Sequence, residues 1–399
     1  MTRTALLFFL VAATASAQIA VHGERVITMA GDPIANGVVV VIDGKITAVG
    51  PAASVVIPDG LRRVEAKVVL PGLIDARSVV GLAGVLNQAH DQDQIDRSEP
   101  LQPELRAIDA YNPDEPLVAW LRSLGVTTLH TGHAPGALIT GETMIVKTHG
   151  RSVEADTVVP RAMVAATLGE GAVRGKGKAP GNRSKAVAML REALLGAVEY
   201  ERKRAGDDDK KPPRDLRKEA LGRLLRREVP LLVTVHRQHD VRTALRIADE
   251  FDLRIVLDGV AEAYDLIDEI RTAEVPVILH ATMMRAGGER KNASMETAAK
   301  LREAGIPFAI QSGHEPYVPK TRYVLFEAGV AAQNGLAPAD ALSAITIDAA
   351  RILGVAERVG SIEVGKDGDL ALFDGDPLET TTHCVGTVID GEVVSEERR

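Results

Sequence analysis

Seven of the ten histidines in this 399-residue chain fall where short apolar runs end. His130 and His133 close VTTLHTG and its tail, His149 follows TMIVKT, and His236 ends LLVTVH with His239 close behind. His280 ends PVILH, and His314 follows PFAIQSG. A single histidine in such a place is more often a hydrogen-bonded structural residue. Six of them arriving from five separate runs point to a shared site. Three imidazoles and a water suit tetrahedral zinc, which would activate that water for hydrolysis. The expected metal set is His236 with members of His130, His280 and His314. Asp258, at the end of RIVLD, is a candidate catalytic group, and Lys147, in TMIVKTH, reads by itself as an ammonium paired with Asp258 or Glu262. Arg237 and His239 follow His236 and are candidates for substrate contact. Asp75 and Glu262 are further carboxylates able to act as general bases beside a held water; the alternative is that Asp75 caps a turn and Glu262 lies on a helix. His22, His90 and His383 fall in the β-rich ends or in a loop and have no expected site role.

These side chains need a frame that brings their runs together. Strand-like apolar runs alternate with helical stretches through the middle of the chain, a pattern of parallel strands with crossover helices. The expected strands are VVLPGLIDA (68–76), 126–132, 143–149, 231–236, 254–258, 276–282 and 307–313, with an eighth in 152–168. All are short and continuously apolar, as strands covered on both faces should be. Helices are expected over 184–204, 240–251, 261–272, 294–304, 321–334 and 338–353. Both ends of the chain are β-rich instead, and each carries an Asp-Gly pair between apolar runs, Asp43-Gly44 and Asp390-Gly391, which predicts a tight hairpin. Gly169 to Asn182 and Lys203 to Arg214 read as solvated loops; a sharper reading lets Arg174, Lys176 and Lys178 cover the site and attract an anionic substrate.

Composition narrows the function classes. Hydrophobic residues make up 45% and charged residues 26%, as in ordinary globular proteins. A net charge of -8 offers no basic face for nucleic acid. Arg3, the apolar run ALLFFLVAA and the small residues Ala15-Ser16-Ala17 form a secretory signal pattern over residues 1–17, so export, to a periplasm, is expected. No later run is long enough to span a bilayer. Cys384 is the one cysteine, which excludes an intramolecular disulfide and a cysteine-cluster metal site.

Three stretches carry a family resemblance. VVLPGLID (Val68 to Asp75) resembles the first barrel strand of the amidohydrolase superfamily, and VGSIEVGKDGDLALFDGDPL (Val359 to Leu378) resembles its C-terminal signature. GVLNQAHDQDQIDRSEPLQPELRAIDAYNP (Gly84 to Pro113) resembles a bacterial, imidazolonepropionase-like branch. The resemblance implies a TIM-type (β/α)8 barrel with a small composite β-sandwich built from both chain ends: a signal peptide at 1–17, the sandwich at 18–69 plus 356–399, and the barrel at 70–355. It also implies a ligand set of His-x-His on the first strand, a bridging lysine or glutamate, two later histidines and a last-strand aspartate. In this chain Lys147 and His236 match that set, and the match makes Lys147 a candidate catalytic group. Ala76 and Ser78 stand where the His-x-His should be, Asp258 where the second later histidine should be, and Gly313 where the aspartate should be. The implied activity is hydrolysis of a C–N bond in a cyclic amide or similar small molecule by a metal-activated water, with zinc or another divalent metal. The alternative is a pseudoenzyme that has lost its metals and binds a small molecule or serves as a scaffold. The expected partner is a small-molecule substrate, with self-association left open.

Overall fold

The computed structural model describes residues 18–399 apart from 87, 176, 207–210 and 314–322. The expected signal segment, Lys176 and the candidate ligand His314 lie outside the described residues.

The chain opens with β1 (Ile19–Val26), β2 (Ile34–Ile42), β3 (Lys45–Pro51) and β4 (Arg62–Pro71), and closes with β15 (Leu370–Phe373), β16 (Cys384–Ile389) and β17 (Glu392–Ser395). These seven strands form one sheet in the order β17-β16-β15-β4-β1-β2-β3. The two chain ends meet where β15 pairs antiparallel with β4, Leu372 opposite Val69. Both expected hairpins form. Asp43 and Gly44 have φ of 52° and 77°, and Asp390 and Gly391 have 50° and 75°. Positive φ at both central residues is what a type I′ turn demands, and Asp-Gly supplies it with little strain.

Ten further strands lie between: β5 (Leu73–Ser78), β6 (Val126–Thr131), β7 (Ile139–Glu142), β8 (Met144–Lys147), β9 (Thr157–Val159), β10 (Val164–Thr167), β11 (Leu231–Val235), β12 (Ile255–Gly259), β13 (Val277–Leu279) and β14 (Phe308–Ile310). They pair in two arcs, β5-β6-β8-β9 and β14-β13-β12-β11-β10-β7. β10 is the strand expected somewhere in 152–168. Strands β10 to β14 pair parallel in sequence order, and β5 pairs parallel with β6. β8 does not follow that direction. It runs antiparallel to β6, with Lys147 opposite Thr128. Residues 139–147 serve both arcs, β7 in one and β8 in the other. At the opposite seam the Ser312 amide donates to the Asp75 carboxylate at 3.1 Å, joining the ends of β14 and β5.

Side chains alternate across each strand. Ile74, Ala165, Leu232, Val256, Ile278 and Ala309, from six strands, pack into one buried cluster. The helix Ile347–Ile352 adds Ala349 and Ala350 to it. The opposite faces of the strands meet the surrounding helices in the large core: Val233, Leu257, Leu279 and Ile310 belong there with Leu194, Val241 and Leu301. The helix Gln238–Phe251 shows why it docks. Asp240, Val241, Ala244 and Ile247 form its buried stripe at helical spacing, and it ends on Asp252 in the left-handed region. The expected helix 338–353 is broken at Thr346 into Pro338–Ala344 and Ile347–Ile352. Among the described residues no helix is long and apolar enough to cross a membrane.

Candidate active site

Two residues beyond the inner-layer Leu232, Val256, Ile278 and Ala309, the alternation brings Thr234, Asp258, His280 and Gln311 to the same inward face, and His236 two residues further still. These side chains line one pocket at the C-terminal ends of the parallel strands, with Arg77, Ser312 and Gly313 beside them. This is where parallel-stranded enzymes place their reacting groups.

Asp258 is 3% exposed and firmly held. Thr234 Oγ1 donates to its Oδ2 across the paired strands, and Gln311 Nε2 donates to its Oδ1 at 2.7 Å. Asp75 lies behind the pocket with no exposed surface. It accepts from the Ser312 amide at 3.1 Å, from the Ser312 hydroxyl, and from the Arg77 amide at 3.2 Å. Burial pushes its carboxyl up to about 6, against the lowering effect of those donors.

Arg77 is 4% exposed. Its Nη1 donates to the Ser78 carbonyl at 3.2 Å and its Nη2 to the His133 carbonyl. Its Nε is buried without a hydrogen-bond partner. Burial works against its charge, and the carboxylates of Asp258 and Asp75 work in favour of it.

The two pocket histidines are neutral. His280 is buried, and its Nδ1 lies 2.9 Å from the Ala281 carbonyl. A carbonyl only accepts, so Nδ1 carries the proton and Nε2 is left as a lone pair; that Nε2 is buried and unpartnered. His236 packs against Gly259, where an added Cβ would come within 2.6 Å of its Cε1; Gly259 also has φ of 84°. The His236 Nδ1 is likewise buried and unpartnered. Burial, with Arg290 and His280 nearby, lowers His236 to about 3; burial lowers His280 as well. Arg290 lines the pocket.

The structure brings together only part of the expected set. Asp258, His236 and His280 share the pocket. His130 does not: it is buried, with Nδ1 2.7 Å from the Ala76 carbonyl and Nε2 2.7 Å from Thr143 Oγ1, so both nitrogens are occupied. Lys147 is a correction to the expectation. Because β8 runs antiparallel, its end lies toward the seven-stranded sheet, where Nζ pairs with Asp367 at 2.8 Å, Asp369 at 3.1 Å and Asp390. Burial opposes that ammonium, but the three carboxylates hold its pKa above the ordinary lysine value. It cannot bridge metals at the pocket, and it pairs with neither Asp258 nor Glu262. Arg237 instead takes Glu262, Nε to Oε1 at 3.0 Å. His239 lies in a separate groove, 3.4 Å from Asp240. Arg174 hydrogen-bonds the carbonyls of Arg97 and Ser98, and with Lys178 lines another surface cleft rather than this pocket. Of the expected metal set, His236 and His280 share the pocket, His130 does not, and His314 lies outside the described residues. Arg77, Arg290, Gln311 and Ser312 had no expected role. The one signal for Arg77 was its place between Ala76 and Ser78.

Comparison with known proteins follows the same lines. Residues 289–395 match the amidohydrolase family model. The protein called amidohydrolase tasK, from Hapsidospora irregularis, is 25% identical over 388 residues, 90% of this chain and 39% of its own length. Imidazolonepropionase from Shouchella clausii is 37% identical over 84 residues, 21% of this chain and 19% of its own. The chain thus spans well under two thirds of either relative. Among solved structures, an amidohydrolase from Thermotoga maritima has a TM-score of 0.89 at 27% identity, covering 95% of this chain and 100% of that one. An adenosine deaminase from Xanthomonas campestris, solved with bound zinc, has a TM-score of 0.57 at 17% identity over 94% of this chain and 92% of its own; that likeness is one of fold. These neighbours imply a TIM-barrel fold of mixed α/β content.

A zinc centre of the kind the resemblance implies does not fit the residues present. Ala76 and Ser78 offer no imidazole, and Gly313, with φ of 78°, offers no carboxylate. Both oxygens of Asp258 already accept hydrogen bonds. Two guanidiniums line the same pocket, and among the described residues no three His, Cys, Asp or Glu gather as a metal ion would require.

Proposed function

Because the chain belongs to the amidohydrolase superfamily, in its imidazolonepropionase-like branch, we propose that it hydrolyses a C–N bond in a cyclic amide or related small molecule at this pocket, without a metal centre. The observation that carries the reading is a carboxylate and a buried cation on one pocket wall, Asp258 and Arg77. A water beside Asp258 would give its proton to that carboxylate as its oxygen bonds to the carbonyl carbon. Arg77, on the same pocket wall, would stabilise by its charge the oxyanion that forms. The C–N bond then breaks, and the proton on Asp258 passes to the departing nitrogen. The neutral His236 and His280 are hydrogen-bond partners for the ring being opened.

A second reading, binding without turnover, is favoured by the low basicity of His236, at about 3, which removes an imidazole base from the pocket. Incubating the purified protein with a panel of lactams, cyclic ureides and N-acyl amides, in chelator, separates the two. Ring-opened product lost in Asp258→Asn supports hydrolysis. Saturable binding with no product supports the second reading.

Export also stands as a proposal, carried by the Arg3-to-Ala17 pattern. N-terminal sequencing of the secreted protein should begin at Gln18. The division into a two-ended β unit (18–69 with 356–399) and a central barrel unit (70–355) is proposed with it.

A further inference from the structure

Arg77 stands on the first strand of the array, between the two positions where the resemblance places metal-binding histidines. We propose that its guanidinium permanently holds the cation position of the pocket, so that this protein carries its own fixed charge where a divalent metal would otherwise sit.

Four observations support this. The side chain is buried, with 4% exposed, in the pocket wall rather than at a surface. Its hydrogen bonds go to two neutral carbonyls, Ser78 and His133, which pin the group without neutralising it. Its charge is balanced through space by Asp258 and Asp75, one on the pocket wall and one behind it. Its Nε is left without a partner although no solvent reaches it. Burying a charge with an unused donor is costly unless the group has work to do there. A planar guanidinium offers directed donors and keeps its proton at working pH even where burial lowers its pKa, so it presents a positive face to an electron-rich oxygen. It also repels a second cation. Within the pocket a dication would meet this charge and that of Arg290, and the imidazole and carboxylate donors among the described lining residues are His236, His280 and an already engaged Asp258.

The inference deepens the proposed function, but its readout is cation affinity, so an inactive protein leaves it testable. Zinc ion is titrated calorimetrically into the purified full chain and into Arg77→Met, which keeps the length of the side chain and removes its charge. Circular dichroism checks that each protein is folded. Arg77→Met is expected to bind zinc at least about tenfold more tightly than the parent, an effect lost when His236→Ala is added. Arg77→Lys, which keeps the charge, is expected to behave as the parent and serves if the methionine variant does not fold, the comparison then being with Arg77→Gln. Equal zinc affinity in parent and uncharged variant, whether both bind or neither does, overturns the proposal.

Discussion

The guanidinium of Arg77 reaches from the end of β5 to the backbone carbonyl of His133, just beyond β6, and so is fixed by main chain rather than by a carboxylate partner. Its two acidic neighbours act through space, and both are tied to the end of β14: Asp258 by Gln311, with Thr234 of β11 as a second donor, and Asp75 by Ser312. The charge pattern of the pocket is thereby built into the strand ends.

Asp258 should be the residue whose loss most affects turnover. Asp258→Asn keeps the Gln311 bond through its Oδ1, lets the Thr234 hydroxyl turn to accept from its Nδ2, and removes the base. A general base contributes about 10²- to 10⁴-fold, so kcat should fall by at least about a hundredfold in steady-state assays of ring opening, with KM little changed. An unchanged kcat removes Asp258 from the reaction.

Lys147 should matter to folding and not to the pocket. Lys147→Met leaves Asp369 buried without its cation, while Asp367 keeps Lys45 and Arg358. Breaking a buried ion cluster from one side costs about 3–5 kcal/mol, which a urea melt would read as a lower midpoint. Ligand affinity at the pocket should be unchanged at temperatures where the variant is folded.

That assignment shows what the residues disclosed in advance. The apolar runs located the parallel strands, and strict alternation along them put Asp258, His236 and His280 on one face. The Asp-Gly pairs fixed two hairpins by their backbone demands alone. Direction was the missing quantity. TMIVKTH is as apolar as its neighbours, and nothing in such a run says that it lies antiparallel to β6, which carries Lys147 and His149 away from the pocket. His130 was misread for a related reason. Its position at a strand end is that of a ligand, but the Ala76 carbonyl and Thr143 that occupy its two nitrogens are distant in sequence.

Stability should fall steeply in mild acid. His130, His133 and His236 titrate at about 3, 4 and 3 in the folded protein, against 6.5 ordinarily, and His280 is lowered too. The unfolded chain takes up these protons first, so the stability they carry is complete above 6.5 and drains as pH falls toward the folded values. Asp75 runs the opposite way: at about 6 folded against 3.8 ordinarily, it gains its proton in the folded state first and adds stability as pH falls through 6. Each such group contributes a slope of about 1.4 kcal/mol per pH unit while it titrates. The imidazoles outnumber Asp75, so thermal midpoints should drop between pH 6.5 and 4.5. Asp75→Asn should make that drop steeper; a shallower one contradicts the assignment.

Gly259 should tolerate no side chain. At φ of 84°, with the His236 ring 2.6 Å from where a Cβ would lie, Gly259→Ala meets both backbone strain and a clash. A loss of about 1–3 kcal/mol is expected, together with a shifted His236 imidazole resonance in NMR spectra. An unshifted resonance would mean that the ring does not rest on this glycine.

The most direct measurement is the metal content of the purified protein, by elemental analysis, after incubation with excess zinc, manganese or iron and removal of free ion. With Arg77 holding the cation position, each metal should remain far below one equivalent per chain. One equivalent or more, lost on His236→Ala, contradicts the metal-free pocket.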